Sequence, residues 1–467
     1  MASIRQNFLL DWNLVDAASD LDRLRLVLGA IPDESLAQKL EKERGRGRDE
    51  YPVRPTWNSI LAGVVFQHPT IASLRRELRR NAELRALCGF DPVLGERAVP
   101  TDSAYSNFLE ILMDHEADIR KMVHDLIQLL GNHIPDLGRC QAIDGKALPS
   151  FGKPPRNNEA EGCTGTDSTA QATESEKDRR TETDADWGVK TSRGKRADGM
   201  TWEKTVKWFG FELHLLVDTT HEIPLNYLLT KASAGESPLL LPLVEETKQR
   251  HPKLVQRCEE LSADKGYDST RNNQVLYDSH GIHPFIDKRR DWRAGEDQTR
   301  SVFADRADTV VYDVKGTISC ICPKTDAIRP MVPWGFEPDR DCLKYRCPAA
   351  VYQTECPGRS LCPGAQSDYG KIVRIPIELD RRMFTPTARD TIAWQRAYDK
   401  RTAVERVNSR LDRVLGFEYH TIRGLKKMET RVGIALLVLL AMALGRIQIG
   451  QADRIRSLLA PVRRQAA

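Results

Sequence analysis

In a chain with 66 carboxylates, type alone singles out no acid, and position has to do it. Asp144 closes a hydrophobic run in AIDGK and Asp264 closes another in LSADKGYDS, so both carboxylates are expected to emerge at strand ends. Glu405 lies in WQRAYDKRTAVERVNSRLDRVLG, where Tyr398, Arg401, Glu405, Asn408 and Asp412 follow at spacings of 3, 4, 3 and 4, one stripe of a helix. Acids converging from two strands and a helix can hold the paired Mg2+ (or Mn2+) ions used in phosphodiester cleavage. Lys146, Lys265 and Arg401, beside the acids, would then meet DNA phosphate. Blander readings stand next to these. Asp-Gly is a common turn dipeptide, and an acidic helical stripe paired with Arg401 is also how a solvated face looks. His214 and Asp218, in FELHLLVD, can approach the site, although a packed core histidine is the preferred reading.

The elements that must position these residues can be traced by periodicity. Residues 1–43 and 57–130 carry helical apolar spacing. Ile60, Leu61, Val64 and Val65 form one face, HPT interrupts it, and Thr70 can cap a following helix with Leu74, Leu78 and Leu84. On that helix Arg75, Arg76, Arg79 and Arg80 cluster away from the leucines, a pattern that fits phosphate contact or a solvated face equally. After Gly138 the pattern becomes strands alternating with helices, which argues for a mixed α/β core. The strands are read in RCQAIDGKAL, FGFELHLLVDTT, IPLNYLLTKA, CEELSADKGYDS, IHPFIDKR and KIVRIPIELD, with helices in SPLLLPLVEETKQR, from Thr270, and from Thr391 to Leu415. Residues 152–205, crowded with polar and charged side chains, are expected to be a loop or disordered insert.

Six of ten cysteines fall as Cys320-x-Cys322, Cys342-x4-Cys347 and Cys356-x5-Cys362. Thiolates at short separations can supply a subset of four to one structural Zn2+; reduced cysteines in a loop are the alternative. Arg423, Lys426 and Lys427 form a basic strip after the third acid, suited to a DNA channel or to solubility.

Composition sets the outer bounds. The 467 residues carry a net charge of +4, 40% hydrophobic and 29% charged residues, with mean hydropathy −0.48. Wholesale disorder and a multi-span membrane protein are excluded. The longest uncharged apolar run, Val432 to Gly445, falls short of the roughly 20 residues that span a bilayer and reads as a buried helix. No secretion signal is evident in MASIRQNFLLDWN, so a cytoplasmic, nucleoid-associated protein with no membrane partner is expected.

Taken in order, the motifs resemble the DDE transposases of bacterial insertion sequences, in the branch with a Tyr-x2-Arg-x3-Glu-x6-Lys signature. Here that signature reads Tyr398, Arg401, Glu405, with Asp412 at the Lys position. AIDGKAL and SADKGYDS resemble the first and second acid motifs, GIHPFI resembles the strand that follows, and YPVRPTWNSILAGVVFQHPT with PTDSAYSNFLEIL resembles the helical domain that precedes catalysis. The resemblance implies an α/β fold with an RNase H-like catalytic core, and metal-binding catalytic acids at Asp144, Asp264 and Glu405. It also implies binding of terminal inverted repeats, hydrolysis at the element ends, and attack of the freed 3′ hydroxyl on target DNA. Tyr398 and Arg401 would support DNA contact, and Arg413 or Arg410 would replace the missing Lys. Paired-end chemistry implies a homodimer. The expected division is a helical segment and linker over 1–50, a helical DNA-binding domain over 51–135, the catalytic domain over 136–445 with a Cys-rich insert at 315–365, and a basic tail over 446–467. A catalytically inactive DNA-binding derivative and a stand-alone metal-dependent nuclease are the competing functions.

Overall fold

A computed structural model describes residues 20–45, 51–91, 93–155, 181–196, 198–289, 292, 299–303, 310–364 and 366–462. Cys163, most of the expected linker, and Arg463 and Arg464 of the tail lie outside the described residues. The helices are α1 (Asp20–Ala30), α2 (Glu34–Arg44), α3 (Val53–Val65), α4 (Ile71–Arg80), α5 (Ala82–Cys88), α6 (Asp102–Asp114), α7 (Glu116–His133), α8 (Leu240–Arg250), α9 (Pro252–Gln256), α10 (Thr270–Gln274), α11 (Pro348–Tyr352), α12 (Ile392–Asp399), α13 (Thr402–Arg413) and α14 (Leu425–Gln448). The strands are β1 (Cys140–Pro149), β2 (Asp186–Lys195), β3 (Thr201–Asp218), β4 (Ile223–Lys231), β5 (Glu260–Ala263), β6 (His283–Ile286), β7 (Thr299–Ser301), β8 (Val310–Asp313), β9 (Ile318–Ile321), β10 (Ile328–Pro330), β11 (Val332–Glu337), β12 (Cys342–Arg346) and β13 (Ile372–Pro376).

The chain forms two compact units, one of residues 1–135, 148–211 and 408–467, the other of 136–147 and 212–407. The first is mainly helical. Thr70 caps α4 as its position suggests: its hydroxyl accepts from the Ser73 amide at 3.1 Å, and the Ser73 hydroxyl accepts from the Thr70 amide at 3.3 Å. The apolar run after Arg431 is the body of α14, which packs against α7, α1 and α3. By length and composition α14 could cross a membrane, but 89% of its apolar window is buried within the protein. It therefore joins the amino-terminal helices, although its sequence position had placed it with the catalytic residues.

The stretch expected to be an insert differs in part. Residues 156–180 are outside the described set, but β2 and the first half of β3 form an antiparallel hairpin, in register from Asp186↔Gly210 to Lys195↔Thr201. Its strands are exposed on both faces and mix apolar with charged side chains, so no sustained apolar alternation announced them.

In the second unit, β1 lies between β3 and β5, β6 follows β5, and β4 pairs with β3. β1, β5 and β6 are mutually parallel. Buried Ala142, Ile143, Leu261, Ala263, Phe285 and Ile286 make them near-continuous apolar strands, as parallel strands covered on both faces require. Two smaller antiparallel sheets, β7 to β10 and β11 to β13, share a separate core that includes Val310, Ile318, Leu343, Tyr345, Ile375 and Phe384. The Cys-rich segment therefore lies on sheets with their own apolar core.

Candidate active site and nucleic-acid contacts

The parallel register decides where the first two acids go. Ile143 stands opposite Ala263, so the next residues, Asp144 and Asp264, fall beside one another on neighbouring strands about 4.8 Å apart. Asp264 follows the end of β5, whereas β1 runs on to Pro149, so the first acid lies within its strand and not at the strand end its sequence suggested. Each carboxylate turns back onto the following amide: Asp144 Oδ1 accepts from Gly145 N at 2.9 Å and Asp264 Oδ1 from Lys265 N at 2.7 Å. Asp144 is buried, whereas Asp264 is half-buried. Carboxyl ends of parallel strands are also where α/β sheets leave room for a ligand.

Glu405 arrives on the first turn of α13, and Arg401 ties it in. One guanidinium nitrogen, Nη1, reaches Asp144 Oδ2 at 3.2 Å and Glu405 Oε1 at 2.9 Å. Burial works against the Arg401 charge, but Asp144, Tyr398, Glu405 and Asp264 together raise its pKa. The single helix expected from Thr391 to Leu415 is instead two, α12 and α13. Arg401 N bonds to Tyr398 O and Val404 N to Arg401 O, i to i+3 contacts that tighten the chain into a turn. The Thr402 hydroxyl bonds to Asp399 O at 2.9 Å, and Lys400 is drawn to Glu260. Within α12 Tyr398 stacks on Trp394, ring centroids 5.2 Å apart, and the tighter turn brings the Arg401 guanidinium 5.6 Å from the Tyr398 centroid. Burial pushes the Tyr398 phenol up to about 12, which keeps it a donor at neutral pH.

Spacing did not reveal three further acids nearby. A Cβ added at Gly145 would lie 2.6 Å from Glu212 Oε1 and 3.2 Å from Glu236 Oε1, and one added at Gly266 would fall 1.3 Å from Glu236 Oε2. The glycines of Asp144-Gly145 and Asp264-Lys265-Gly266 are therefore the space that admits the Glu212 and Glu236 carboxylates. Asn272 fastens that arrangement, donating to Ser237 O at 2.8 Å and Tyr267 O at 2.7 Å. Asp287 follows β6, the third parallel strand, and burial raises its pKa. Tyr267 shows how dense the negative charge is. Burial first, then Glu236, Asp144, Glu212 and Asp264, raise its phenol well above the usual range.

His214 is a packed residue, as preferred: fully buried, it pairs Nδ1 with the Tyr267 hydroxyl at 2.9 Å and Nε2 with the Thr230 hydroxyl at 3.2 Å. Asp218 accepts the Gly138 and His221 amides at 2.8 and 2.6 Å, which holds a turn rather than a site.

The basic residues divide. Lys146 is half-buried and Lys265 exposed beside the acids. Within the helical unit Arg75 is committed to Asp102 and to Pro100 O at 2.8 Å, while Arg76, Arg79 and Arg80 are exposed, Arg80 paired with Glu77. Arg413, Arg423 and Lys427 are exposed, and Lys426 pairs with Asp114.

Among the cysteines, Cys320 on β9 lies close enough to Cys347 and Cys362 to feel their charge, although burial is the main cause of its raised pKa. Cys322 Sγ sits by Gly358, between Cys356 and Cys362 in sequence, where a Cβ would come within 2.6 Å of it. The Thr325 hydroxyl and the Lys324 and Thr325 amides pull the Cys322 thiol down to about 7. Cys342 is turned to the Arg340 carbonyl at 3.0 Å.

Among the described residues no three His, Cys, Asp or Glu side chains cluster as a bound metal ion would require. The oxygen donors of Asp144, Asp264 and Glu405 are nevertheless all carboxylates, the hard ligands Mg2+ and Mn2+ prefer. A guanidinium cation already stands between two of them. By donor chemistry the residues fit a divalent cation.

Acids gathered on and just beyond neighbouring parallel strands, beside basic side chains, define an acid site. The chain belongs to the transposase DDE domain family, which it matches over residues 166–441, more than half its length. That match includes Asp264 and Glu405 and begins beyond Asp144. A Burkholderia cepacia protein named as a candidate transposase for insertion sequence element IS402 is 38% identical over 82 residues, 16% of this chain. The chain spans 37% of that relative's length.

Proposed function

We propose that this chain is an insertion-sequence transposase that cleaves DNA at the ends of its element and joins the freed 3′ ends to target DNA. The observation that carries the reading is the set of contacts joining the acids. The β1 and β5 register supports Asp144, within β1, standing beside Asp264 after β5, and Arg401 bridges Asp144 to Glu405. An RNase H-like core is supported by β1 at the sheet's centre bearing the first acid and its parallel neighbour β5 leading to the second. Asp144, Asp264 and Glu405 would hold Mg2+ or Mn2+, which supplies an activated oxygen nucleophile and charge for the leaving oxygen. Arg401 orients two of those acids, Lys146, Lys265 and Tyr398 meet the phosphate backbone, and Arg413 lies on the helix of the third acid. The exposed Arg76, Arg79 and Arg80 with Arg423 and Lys427 serve the terminal inverted repeats. Handling two ends together calls for a homodimer. A structural Zn2+ would require four of Cys320, Cys322, Cys347, Cys356 and Cys362 to draw closer than they stand here, where no three cluster among the described residues, and would then brace the small sheets.

The test is cleavage of a labelled duplex carrying an element end, in Mg2+, by wild type and Asp144→Ala, followed by incubation of pre-cut ends with plasmid. Cleavage lost in the variant and joined product with wild type are expected. Cleavage without joining would mark a nuclease, and binding without cleavage an inactive derivative.

A further inference from the structure

The hairpin of β2 and β3 has no role in the acid site. From Val189 to Lys207 its described side chains are mostly exposed, including those of Val189, Met200, Trp202 and Val206 on a structure that is otherwise charged. A bare two-stranded ribbon is marginal in water, yet this one has internal bracing. Trp208 lies over Gly188 and Trp202 over Gly194, each directly across the ladder. A Cβ at those glycines would come within 2.4 Å and 2.6 Å of the indole rings. Such glycine and tryptophan pairs fill the gap a glycine leaves in a strand without a second layer. Thr191 and Thr205 pair their hydroxyls at 3.2 Å. A tight turn closes the tip: Arg196 N bonds to Met200 O at 2.8 Å and Gly199 N to Arg196 O at 2.9 Å, with Gly199 at φ +83°.

The charge on the ribbon is net positive. Residues 186–207 contain six Lys or Arg against three Asp or Glu, and Lys190, Arg196, Lys204 and Lys207 are exposed. A two-stranded ribbon is a shape that the major groove of duplex DNA admits. The segment holds no Asn or Gln, the side chains that read adenine by paired hydrogen bonds. Lysines on phosphate bind without regard to sequence.

We infer that the β2 and β3 hairpin is an arm that grips target DNA, lying in a groove of the duplex and holding its phosphates through Arg196, Lys204 and Lys207. Sequence-tolerant contact suits the DNA being entered rather than the element ends, which must be recognised. This rests on reading the chain as a transposase, but the two fail separately. The arm is tested by binding alone, in EDTA, where no cleavage takes part.

The experiment measures fluorescence anisotropy of a short duplex of arbitrary sequence against the full chain over a range of KCl. Because each phosphate contact adds about 0.9 to the salt slope, Arg196→Ala/Lys204→Ala/Lys207→Ala should lower the slope by roughly 2 to 3. Affinity at 0.1 M salt should fall by roughly tenfold or more. If the triple variant is less soluble or less stable, single Lys204→Glu decides, and is expected to weaken binding with an unchanged melting temperature. Unaltered slope and affinity overturn the inference. So does loss confined to a duplex carrying the element ends, or a change in oligomeric mass with DNA binding intact.

Discussion

Replacing Arg401 with Ala removes one cation from two carboxylates at once, and the two losses differ in size. Glu405 has half its side chain in water, so its share of the pair is screened to about 0.5 kcal/mol. The Asp144 side chain is only 9% exposed and that of Arg401 18%, so breaking this pair should cost about 2 to 3 kcal/mol. Losing the guanidinium from the Tyr398 face adds about 0.5 kcal/mol. The sum of about 3 to 4 kcal/mol corresponds to a fall of roughly 6 to 16 °C in melting temperature for a unit of this size. Scanning fluorimetry of the full chain in EDTA measures it. Arg401→Lys should recover about half, because an ammonium keeps the charge but loses the planar guanidinium's place over the Tyr398 ring and reaches the acids on a differently shaped stem. The decisive arm adds Mn2+. A divalent cation restores charge balance among the acids, so Mn2+ should raise the melting temperature of Arg401→Ala more than that of wild type. A variant within about 2 °C of wild type in EDTA, or equal stabilisation of both proteins by Mn2+, would refute the reasoning.

Three other outcomes follow from different parts of the molecule. Gly210→Ala would place a Cβ 2.3 Å from Leu148 O and 2.5 Å from Ser150 N, both backbone atoms, and should destabilise the protein by about 3 kcal/mol or more in urea titration. Glu337 bonds Arg374 at 2.7 Å and Lys344 at 3.0 Å, and these partners hold its carboxyl down at about 2, against 4.5 unperturbed. Its stabilising share is thus present above pH 4.5 and lost as pH falls towards 2, so the deficit of Glu337→Gln in thermal melts should be seen at pH 7 and vanish at the acid end of that window. Purified protein should carry about one zinc per chain by elemental analysis; Cys347→Ser should lose it and Cys342→Ser, whose thiol faces a carbonyl, should keep it.

What could be read along the chain was local. Asp264 ends an apolar run, Thr70 precedes a helical repeat, and the run after Arg431 is uncharged, so one strand end, cap and buried helix were each written in a few consecutive residues, whereas the strand of Asp144 runs on past its acid to Pro149. Asp287, which closes the apolar run IHPFI as Asp264 closes its own, carried the same local mark and was passed over, but Glu212 and Glu236 were not legible, because what sets them apart is proximity across strands and turns far apart in sequence. Their only local trace is the pair of glycines that make room, and glycine after an acid also means an ordinary turn. The hairpin was missed for the opposite reason. Strands wet on both faces have the composition of a loop, and only Trp208 opposite Gly188 and Trp202 opposite Gly194, a pairing across the ladder, tell them apart. The break between α12 and α13 was hidden because a tighter turn keeps Tyr398, Arg401 and Glu405 near one another, so the spacing looked uninterrupted.

The pairing of Ile143 with Ala263 has a genetic consequence. Side chains alternate faces at every residue, so losing one codon from β5 would swing Asp264 to the far face of the sheet while leaving its fold and apolar character almost untouched. Gene copies that have drifted out of use should therefore include full-length, well-folded chains silenced by a single in-frame triplet deletion in β1 or β5, whereas triplet changes in the surface turns between strands should be found in working copies too.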